Sequence, residues 1–169
     1  MSRRVNNIVA AFVLDVGQTM IASVERVAGQ SGALAPAVTY LLQEPDIGVE
    51  QLRAVLGLSQ PATVRLVNQL VAEGLATRTR HEGDGRRVHL RLTDAGQARA
   101  REILDARLGA VGEFLDRVTP GDREALVSLV GRLYTAAAPD AAAAERICRL
   151  CDLRACPERS CPVGRAVVG

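Results

Sequence analysis

With 169 residues, of which 48% are hydrophobic and only 2% aromatic, the chain is long enough to bury one aliphatic core and falls in the globular class. A net charge of +2 excludes a strongly basic or acidic protein, so binding of a charged partner must depend on where the charges lie. Asp15 interrupts the first apolar segment and no unbroken apolar run of about 18 residues is present. We therefore expect neither a signal peptide nor a membrane span, and a cytoplasmic location.

The N-terminal segment predicts one long amphipathic helix. Its apolar residues recur at spacings of three and four: Val5, Ile8, Val9, Phe12, Val16, Met20, Val24 and Val27. A short helix over 36–43, a turn at 45–48 and a second helix over 49–56 are expected next. Gly57 ends that second helix, since glycine readily adopts a left-handed cap.

The next helix is expected to begin after Ser59, whose hydroxyl is a good N-cap, and to end near Glu73. One face is apolar and predicted to be buried, and it consists of Thr63, Leu66, Val67 and Leu70. The other face stays free and presents Gln60, Ala62, Arg65, Asn68 and Gln69. Strands at 75–81 and 88–92 follow, joined by a turn at 82–87. A helix, a glycine turn, a capped helix and a hairpin in this order are typical of a winged helix-turn-helix.

Positive charge is concentrated in the hairpin. Its arginines outnumber its acidic residues five to two, with Arg78, Arg80, Arg86, Arg87 and Arg91 against Glu82 and Asp84. Binding of phosphates is one use of such an excess, and a solvated polar hairpin is the alternative. Arginine, asparagine and glutamine on the preceding helix can read base edges in a major groove. Together these features favour double-stranded DNA as a partner.

Two longer helices are expected after the hairpin. The first starts at Thr93, extends to about residue 118 and has a seam-like stripe formed by Leu104, Leu108, Val111, Leu115 and Val118. After a break at 119–122, the second carries Leu126, Leu129, Val130 and Leu133 on one face.

Several of these segments match one known pattern. They are the Leu-Gly-Leu-Ser run at 56–59, the helical run at 66–70, and a wing with Asp84 and Arg86 followed by Leu-Thr-Asp-Ala-Gly at 92–96. In these residues the chain resembles the MarR family, over about residues 5–137. The resemblance implies an obligate homodimer built from the terminal helices, a recognition helix in the major groove and a wing arginine in the minor groove. It further implies that Asp84 orients Arg86, which makes Arg86 the minor-groove candidate.

The expected fold is mainly α with a small β-hairpin wing, a winged helix-turn-helix plus long dimerisation helices. The expected divisions are a dimerisation helix at 1–34, a DNA-binding region at 35–93, dimerisation helices at 94–138 and a cysteine-rich tail at 139–169. The candidate DNA-binding residues are Gln60, Ala62, Arg65, Asn68, Gln69, Arg78, Asp84, Arg86 and Arg87.

The tail contains all four cysteines of the chain, Cys148, Cys151, Cys156 and Cys161, in the spacing C-x2-C-x4-C-x4-C. In a reducing cytoplasm such a cluster indicates a metal site or a redox switch rather than structural disulfides. An iron–sulfur cluster is favoured because the thiols share one short segment with two Cys-Pro steps. A four-thiolate zinc site, a reversible disulfide and cysteines that bind nothing are the alternatives. We expect the tail to lie outside the core and to communicate through the dimerisation helices.

These features predict a homodimeric DNA-binding transcriptional regulator, a repressor at a pseudo-palindromic operator, whose tail senses metal or redox state. One alternative is a repressor that responds to a small-molecule effector and uses the tail only as a structural staple. A zinc or thiol enzyme is disfavoured, because four cysteine ligands leave zinc no open position and no Ser-His-Asp or Cys-His arrangement is visible.

Overall fold

The computed structural model describes residues 2–81, 84–137, 140–156 and 161–163. Within these ranges, the side chains of residues 80–81 and 84–87 are not described. Within these ranges the elements are α1 (Arg3–Ala28), α2 (Leu34–Gln43), β1 (Ile47–Gly48), α3 (Val49–Leu56), α4 (Gln60–Ala72), β2 (Ala76–His81), β3 (Asp84–Leu92), α5 (Asp94–Leu115), α6 (Pro120–Ala137) and α7 (Ala141–Cys148). The mainly helical architecture with a small sheet confirms the predicted fold class.

Helix α2 lies at the centre of the hydrophobic core. Seven of its ten residues are buried, and it packs against α1, α3, α5 and β3. Leu52 and Val55 of α3, together with Leu66 and Leu70 of α4, close the core on the side of the helix-turn-helix. The winged region, which we define as α2 to β3, therefore buries its apolar residues within one protomer, in a core that it shares with α1 and α5.

The sheet has the strand order β1-β3-β2, and all pairs are antiparallel. Strand β1 pairs Ile47 with Leu90, although the sequence predicted only a turn there, because two residues are too short to show alternation. Strand β3 begins at Asp84, so the predicted turn at 82–87 was too long. The hairpin ladder is made of backbone hydrogen bonds, which the side-chain pattern does not report.

Three local predictions are confirmed at helix ends. The Ser59 hydroxyl accepts a hydrogen bond from the Ala62 amide at 3.4 Å, and the Thr93 hydroxyl accepts one from the Gly96 amide at 3.1 Å. Gly57 caps α3 with a left-handed φ of 64°. These caps fix the start of α4 and the exit from the wing into α5.

The last residue of the wing motif, Gly96, must be glycine for a steric reason. A Cβ atom placed on this residue would lie 1.9 Å from the carbonyl oxygen of Leu75, a distance that no side chain tolerates. Thr93 also donates a hydrogen bond to the Gly74 carbonyl at 2.6 Å. The first turn of α5 is thus packed directly on the chain that leaves α4.

Helix α1 packs along α5, and Phe12 meets Phe114 edge to face with ring centroids 6.4 Å apart. By length and composition alone α1 is apolar enough to cross a membrane, with a mean hydropathy of 1.5. The sequence prediction of no membrane span depended on the lack of an unbroken apolar run, and Asp15 does interrupt the apolar run in this helix. The same properties describe a helix whose apolar face is covered by another subunit.

The helices near the C-terminus differ from expectation in two places. Helix α5 ends at Leu115, three residues before the expected end, and α7 was not predicted as a helix. Asp140 caps α7 by accepting a hydrogen bond from the Ala143 amide at 2.7 Å. The sequence of α7 begins with four alanines, which favour helix but give no apolar periodicity to detect.

Candidate DNA-binding surface and cysteine segment

Helix α4 is held by its buried face. Thr63, Leu66, Val67 and Leu70 are all buried, as the helical spacing predicted. The hydroxyl of buried Thr63 donates to the Ser59 carbonyl at 3.0 Å, so this polar group is satisfied within the helix. Gln60, Arg65 and Asn68 are exposed on the opposite face. Three of the five side chains assigned to the free face are therefore available to a partner.

The other two, Ala62 and Gln69, are half-buried, which corrects their assignment to the free face. The Gln69 amide nitrogen donates to the side-chain oxygens of Gln30 at 2.7 Å and Glu73 at 2.8 Å. Both residues line a cavity of about 210 Å³ between α4 and the connection from α1 to α2. Helical periodicity alone does not reveal that a distant connection covers one flank of the helix.

Two exposed apolar residues of α4 were missed by the sequence reasoning. Val64 is 46% exposed and Val71 is 38% exposed, on the face that carries Arg65 and Asn68. Exposed aliphatic groups beside polar readers suit contact with the methyl group of thymine. The spacing in the sequence could have revealed Val64, because it lies four residues from both Gln60 and Asn68 and so shares their helix face.

The arginines of the hairpin are not equivalent. Arg78 donates to the side-chain carbonyl of Asn68, which joins the base of the wing to the recognition helix α4. Arg91 forms an ion pair with Asp46 beside β1. This hydrogen-bonded guanidinium holds the pKa of the exposed Asp46 carboxyl below its ordinary value. Arg91 thus pairs with a residue beside the sheet, and fewer hairpin arginines are left to bind a ligand than the sequence suggested.

The wing-tip candidates lie outside the described side chains. Asp84, Arg86 and Arg87 belong to β3 by their backbone, and the assignments of Arg86 to a minor groove and of Asp84 to its orientation stay predictions.

We call the described residues 148–156 and 161–163 the cysteine segment. Cys148 is the last residue of α7, and the Cys151 amide donates to its carbonyl at 2.8 Å. The Cys156 amide donates to the Asp152 carbonyl at 3.0 Å, which forms a second turn. The four thiols are half-buried.

The thiols of the segment interact with one another in pairs. The Cys148 thiol contacts those of Cys151 and Cys161, and Cys156 contacts Cys161. The hydrogen bond from Cys148 lowers the pKa of Cys151 to about 6, against the opposing effect of burial and with help from Arg107. The same hydrogen bond and burial raise the pKa of Cys148 above its ordinary value. Burial and the contact with Cys161 raise the pKa of Cys156.

The contacts between the thiols are pairwise. Among the described residues, no group of three or more His, Cys, Asp or Glu side chains stands in an arrangement that holds a metal ion. Ligation of one ion or cluster by all four thiols would require their side chains to rotate toward a common centre.

The cysteine segment docks on the winged region, which corrects the expectation that it lies outside the core. The Thr39 hydroxyl donates to the Arg149 carbonyl at 2.9 Å, and the Gln43 amide donates to the Cys151 carbonyl at 2.6 Å. Leu150 packs against the hydrophobic core. The segment also touches the terminal helices, because a Cβ on Gly131 of α6 would lie 3.9 Å from the ring of Pro162.

Helix α3, the Gly57 turn, the recognition helix α4 and the β2–β3 hairpin define a winged helix-turn-helix protein. A family model described as MarR family matches residues 35–87, which span α2 to the wing. Residues 35–87 therefore form a MarR-type domain. The relatives that the chain matches are named as transcriptional regulators, in line with the expectation that it is not an enzyme.

The comparisons with known proteins are consistent at low identity. An uncharacterised HTH-type transcriptional regulator of Bacillus subtilis, YwhA, is 26% identical over 76 residues, 45% of this chain and 55% of that protein. A putative regulatory protein for the hcr operon of Thauera aromatica is 26% identical over 106 residues, 63% of this chain and 64% of that protein. The chain thus spans under two thirds of the length of these relatives.

Among solved structures, RV1404 of Mycobacterium tuberculosis superimposes with a TM-score of 0.68 at 21% identity, covering 79% of this chain and 92% of that one. FabT of Streptococcus pneumoniae, solved in complex with DNA, gives a TM-score of 0.61 at 20% identity, covering 78% of this chain and 94% of that one. At these identities the likeness establishes the fold.

Proposed function

We propose that this protein is a cytoplasmic transcriptional regulator that binds double-stranded DNA as a homodimer and represses at a pseudo-palindromic operator. The observation that carries the proposal is the exposed face of the recognition helix α4, where Arg65 and Asn68 stand beside Arg78 of the wing. Such side chains bind guanine and adenine edges. The fold is shared with a protein whose structure was solved in complex with DNA, which supports this use.

The homodimer is supported by apolar surface that one protomer leaves uncovered. The exposed large apolar residues of α1 and α6 are Val5, Ile8, Val9, Phe12, Val13, Leu14, Ile21, Leu126, Val127, Leu129, Val130 and Leu133. Monomeric soluble proteins rarely expose a contiguous apolar surface of this extent. A second copy of the chain covers both helices at once, and the packing of α1 on α5 favours this occupant over lipid.

DNA binding is tested by selecting duplexes from a random pool with the purified full chain. Two related recognition helices should select half-sites about one helical turn apart. Arg86→Ala should bind the selected duplex much more weakly, and Arg65→Ala should relax preference at one position in each half-site. Selection of no symmetric sequence, or wild-type binding by Arg86→Ala, contradicts the proposed DNA-binding mode.

The four cysteines are proposed as the ligands of one metal centre, an iron–sulfur cluster in preference to zinc. Support comes from the contacts that Cys148 and Cys161 make, since they connect all four sulfur atoms. Such a centre would supply sensitivity to metal supply or to oxidants, and a reversible disulfide would supply sensitivity to oxidants alone.

Elemental analysis of protein purified without oxygen tests this centre. We expect iron and acid-labile sulfide, or one zinc, in each chain, and Cys→Ser variants should lose it. Absence of metal from both purified and reconstituted protein would remove the metal centre from the proposal. Metal that is present but without effect on operator affinity would leave a structural staple, and the regulator would then respond to a small-molecule effector instead.

A further inference from the structure

We infer that Thr39 and Gln43 of α2 couple the state of the cysteine segment to the DNA-binding surface. The inference rests on the proposed function and specifies its regulation. Both side chains are positioning residues, because their hydrogen bonds to the segment go to its backbone carbonyls.

The carbonyls that they bind belong to the turn carrying the first two cysteines. Thr39 binds the oxygen of Arg149 and Gln43 binds the oxygen of Cys151, within the turn closed by the hydrogen bond from the Cys151 amide to Cys148. Drawing the Cys148 and Cys151 sulfur atoms to a common ligand, or modifying them, changes the geometry of this turn. The two carbonyls move with the turn, and their partners on α2 respond.

Thr39 has an alternative acceptor within its own helix. Its hydroxyl lies 2.9 Å from the Arg149 oxygen and also 2.9 Å from the Ala35 oxygen, yet a hydroxyl has one proton to donate. Although Thr39 is fully buried, its donor is satisfied whether or not the segment is docked. The usual cost of an unsatisfied buried polar group therefore does not oppose undocking.

Gln43 behaves in the same way. Its amide nitrogen donates to the Thr39 carbonyl at 3.2 Å as well as to Cys151, so one bond remains when the segment leaves. The two docking side chains thus support two arrangements of the segment, which is the physical requirement for a switch.

From α2 the coupling reaches the recognition helix through the shared hydrophobic core and through α3, which packs against both α2 and α4. Leu34, at the first turn of α2, and Leu66 of α4 are both buried and line the same cavity, next to Arg65. Gln51 of α3 donates to the Tyr40 hydroxyl of α2 at 3.4 Å. A shift of α2 therefore changes the support of both helices of the helix-turn-helix.

Alkylation provides a test that requires no metal. All four cysteines lie in the cysteine segment, so N-ethylmaleimide, to which the sulfur adds across the double bond while the proton moves to the adjacent carbon, modifies the segment selectively. In the full chain, alkylation should raise backbone hydrogen exchange in α2 and α4. Thr39→Val and Gln43→Met, which keep the side-chain size, should already exchange at the raised rate and should respond little to alkylation.

Thr135→Val is the matched control. The Thr135 hydroxyl donates to the carbonyl four residues earlier, as Thr39 does, but lies on α6 and makes no hydrogen bond to the cysteine segment. This variant should respond as the wild type does. If alkylation leaves α2 and α4 unchanged in the wild type, or if both α2 variants respond fully, the inference is wrong. Gln43→Met keeps the test decisive if Thr39→Val does not fold.

The selected duplex gives the reciprocal measurement. Saturating DNA should change the rate of maleimide labelling at Cys151 by roughly fivefold or more, and the change should vanish in both α2 variants. Failure to select any duplex contradicts the proposed function, while hydrogen exchange still decides the inference. The other outcome is tight DNA binding in which the labelling rate of Cys151 does not change with DNA and backbone hydrogen exchange does not change with alkylation. That result contradicts the inference and leaves the proposed function intact.

Discussion

Helices α2 and α6 represent two regions of the molecule that are stabilised differently. Seven of the ten residues of α2 are buried, whereas no residue of α6 is buried, although α6 carries apolar side chains along its length. The winged region thus completes its core from one chain, while the terminal helices leave their apolar surface open. In the proposed dimer, each protomer forms its own DNA-binding surface, and contacts between the protomers set the distance between the two surfaces.

The largest effect is expected from a charge placed on the exposed apolar surface of α6. Leu129→Asp should give aggregated or unfolded chain, because the proposed dimer would bury an unpaired carboxylate at a cost of several kcal/mol. Ser128→Asp adds the same charge next to the apolar stripe and should remain a folded dimer. Size-exclusion chromatography and circular dichroism measure both. A folded Leu129→Asp monomer that still binds one half-site would contradict the role given to α6.

The same truncation in each region sharpens the comparison. Leu52→Ala in the core should lower the free energy of unfolding by about 2–5 kcal/mol, since Leu52 is fully buried within one protomer. Leu133→Ala, at a residue 62% exposed in the protomer, should act mainly by weakening the dimer. Thermal unfolding over a range of protein concentrations separates the two, because only Leu133→Ala should steepen the concentration dependence of Tm. Identical behaviour of the two variants would remove the distinction.

A third prediction compares two arginines of the winged region. Arg65→Ala should cost roughly 1–3 kcal/mol of discrimination at one base pair in each half-site. Arg91→Ala should change base preference little, because Arg91 is paired with Asp46. Binding of the selected duplex and of its single-base variants measures the difference. Equal loss of discrimination in both would show that α4 is not the reading element.

The N-cap of the recognition helix should have a smaller effect. Ser59→Ala removes the acceptor for the Ala62 amide and should lower the free energy of unfolding by about 1 kcal/mol. Ser59→Gly, which caps without a side chain, should lose only a few tenths of a kcal/mol. Denaturant titration resolves this order, and a more stable alanine variant would be inconsistent with the cap.

The smallest predicted effect concerns the ion pair beside the wing. Arg91 lowers the pKa of Asp46 below its ordinary value of 3.8, so the pair stabilises the folded state above that pKa. The contribution should be lost as the pH falls through the lowered pKa of folded Asp46. Asp46→Asn suits the left-handed backbone at this position and removes only the charge. Wild type and variant should therefore differ at neutral pH and converge in acid.

Local signals predicted the winged region well, because its determinants are local. The caps at Ser59 and Thr93 and the left-handed Gly57 are properties of short stretches of chain. The face of α4 was predicted only in part, since the covering of Gln69 depends on Gln30, which lies 39 residues away. Periodicity defines one helix at a time and contains no information about such contacts.

The cysteine segment shows the same limit more strongly. Its spacing indicated a cluster, and the described thiols interact in pairs without forming a metal-binding group. Its docking on α2 depends on Thr39 and Gln43, more than 100 residues earlier, and on carbonyl groups that every residue possesses. Nothing in the pattern of side chains distinguishes the two carbonyls that are bound.

Gly96 has a mechanical consequence. Because there is no room for even a methyl group between the first turn of α5 and the Leu75 carbonyl, α5 is packed tightly on the chain that leaves α4. Helix α5 has 22 residues and is thus about 33 Å long, which makes it a lever with the winged region fixed at one end. A tilt of α5 should therefore move the chain that leaves α4 along with it. In the proposed dimer, the tilt of α5 would thereby change the distance between the two DNA-reading surfaces.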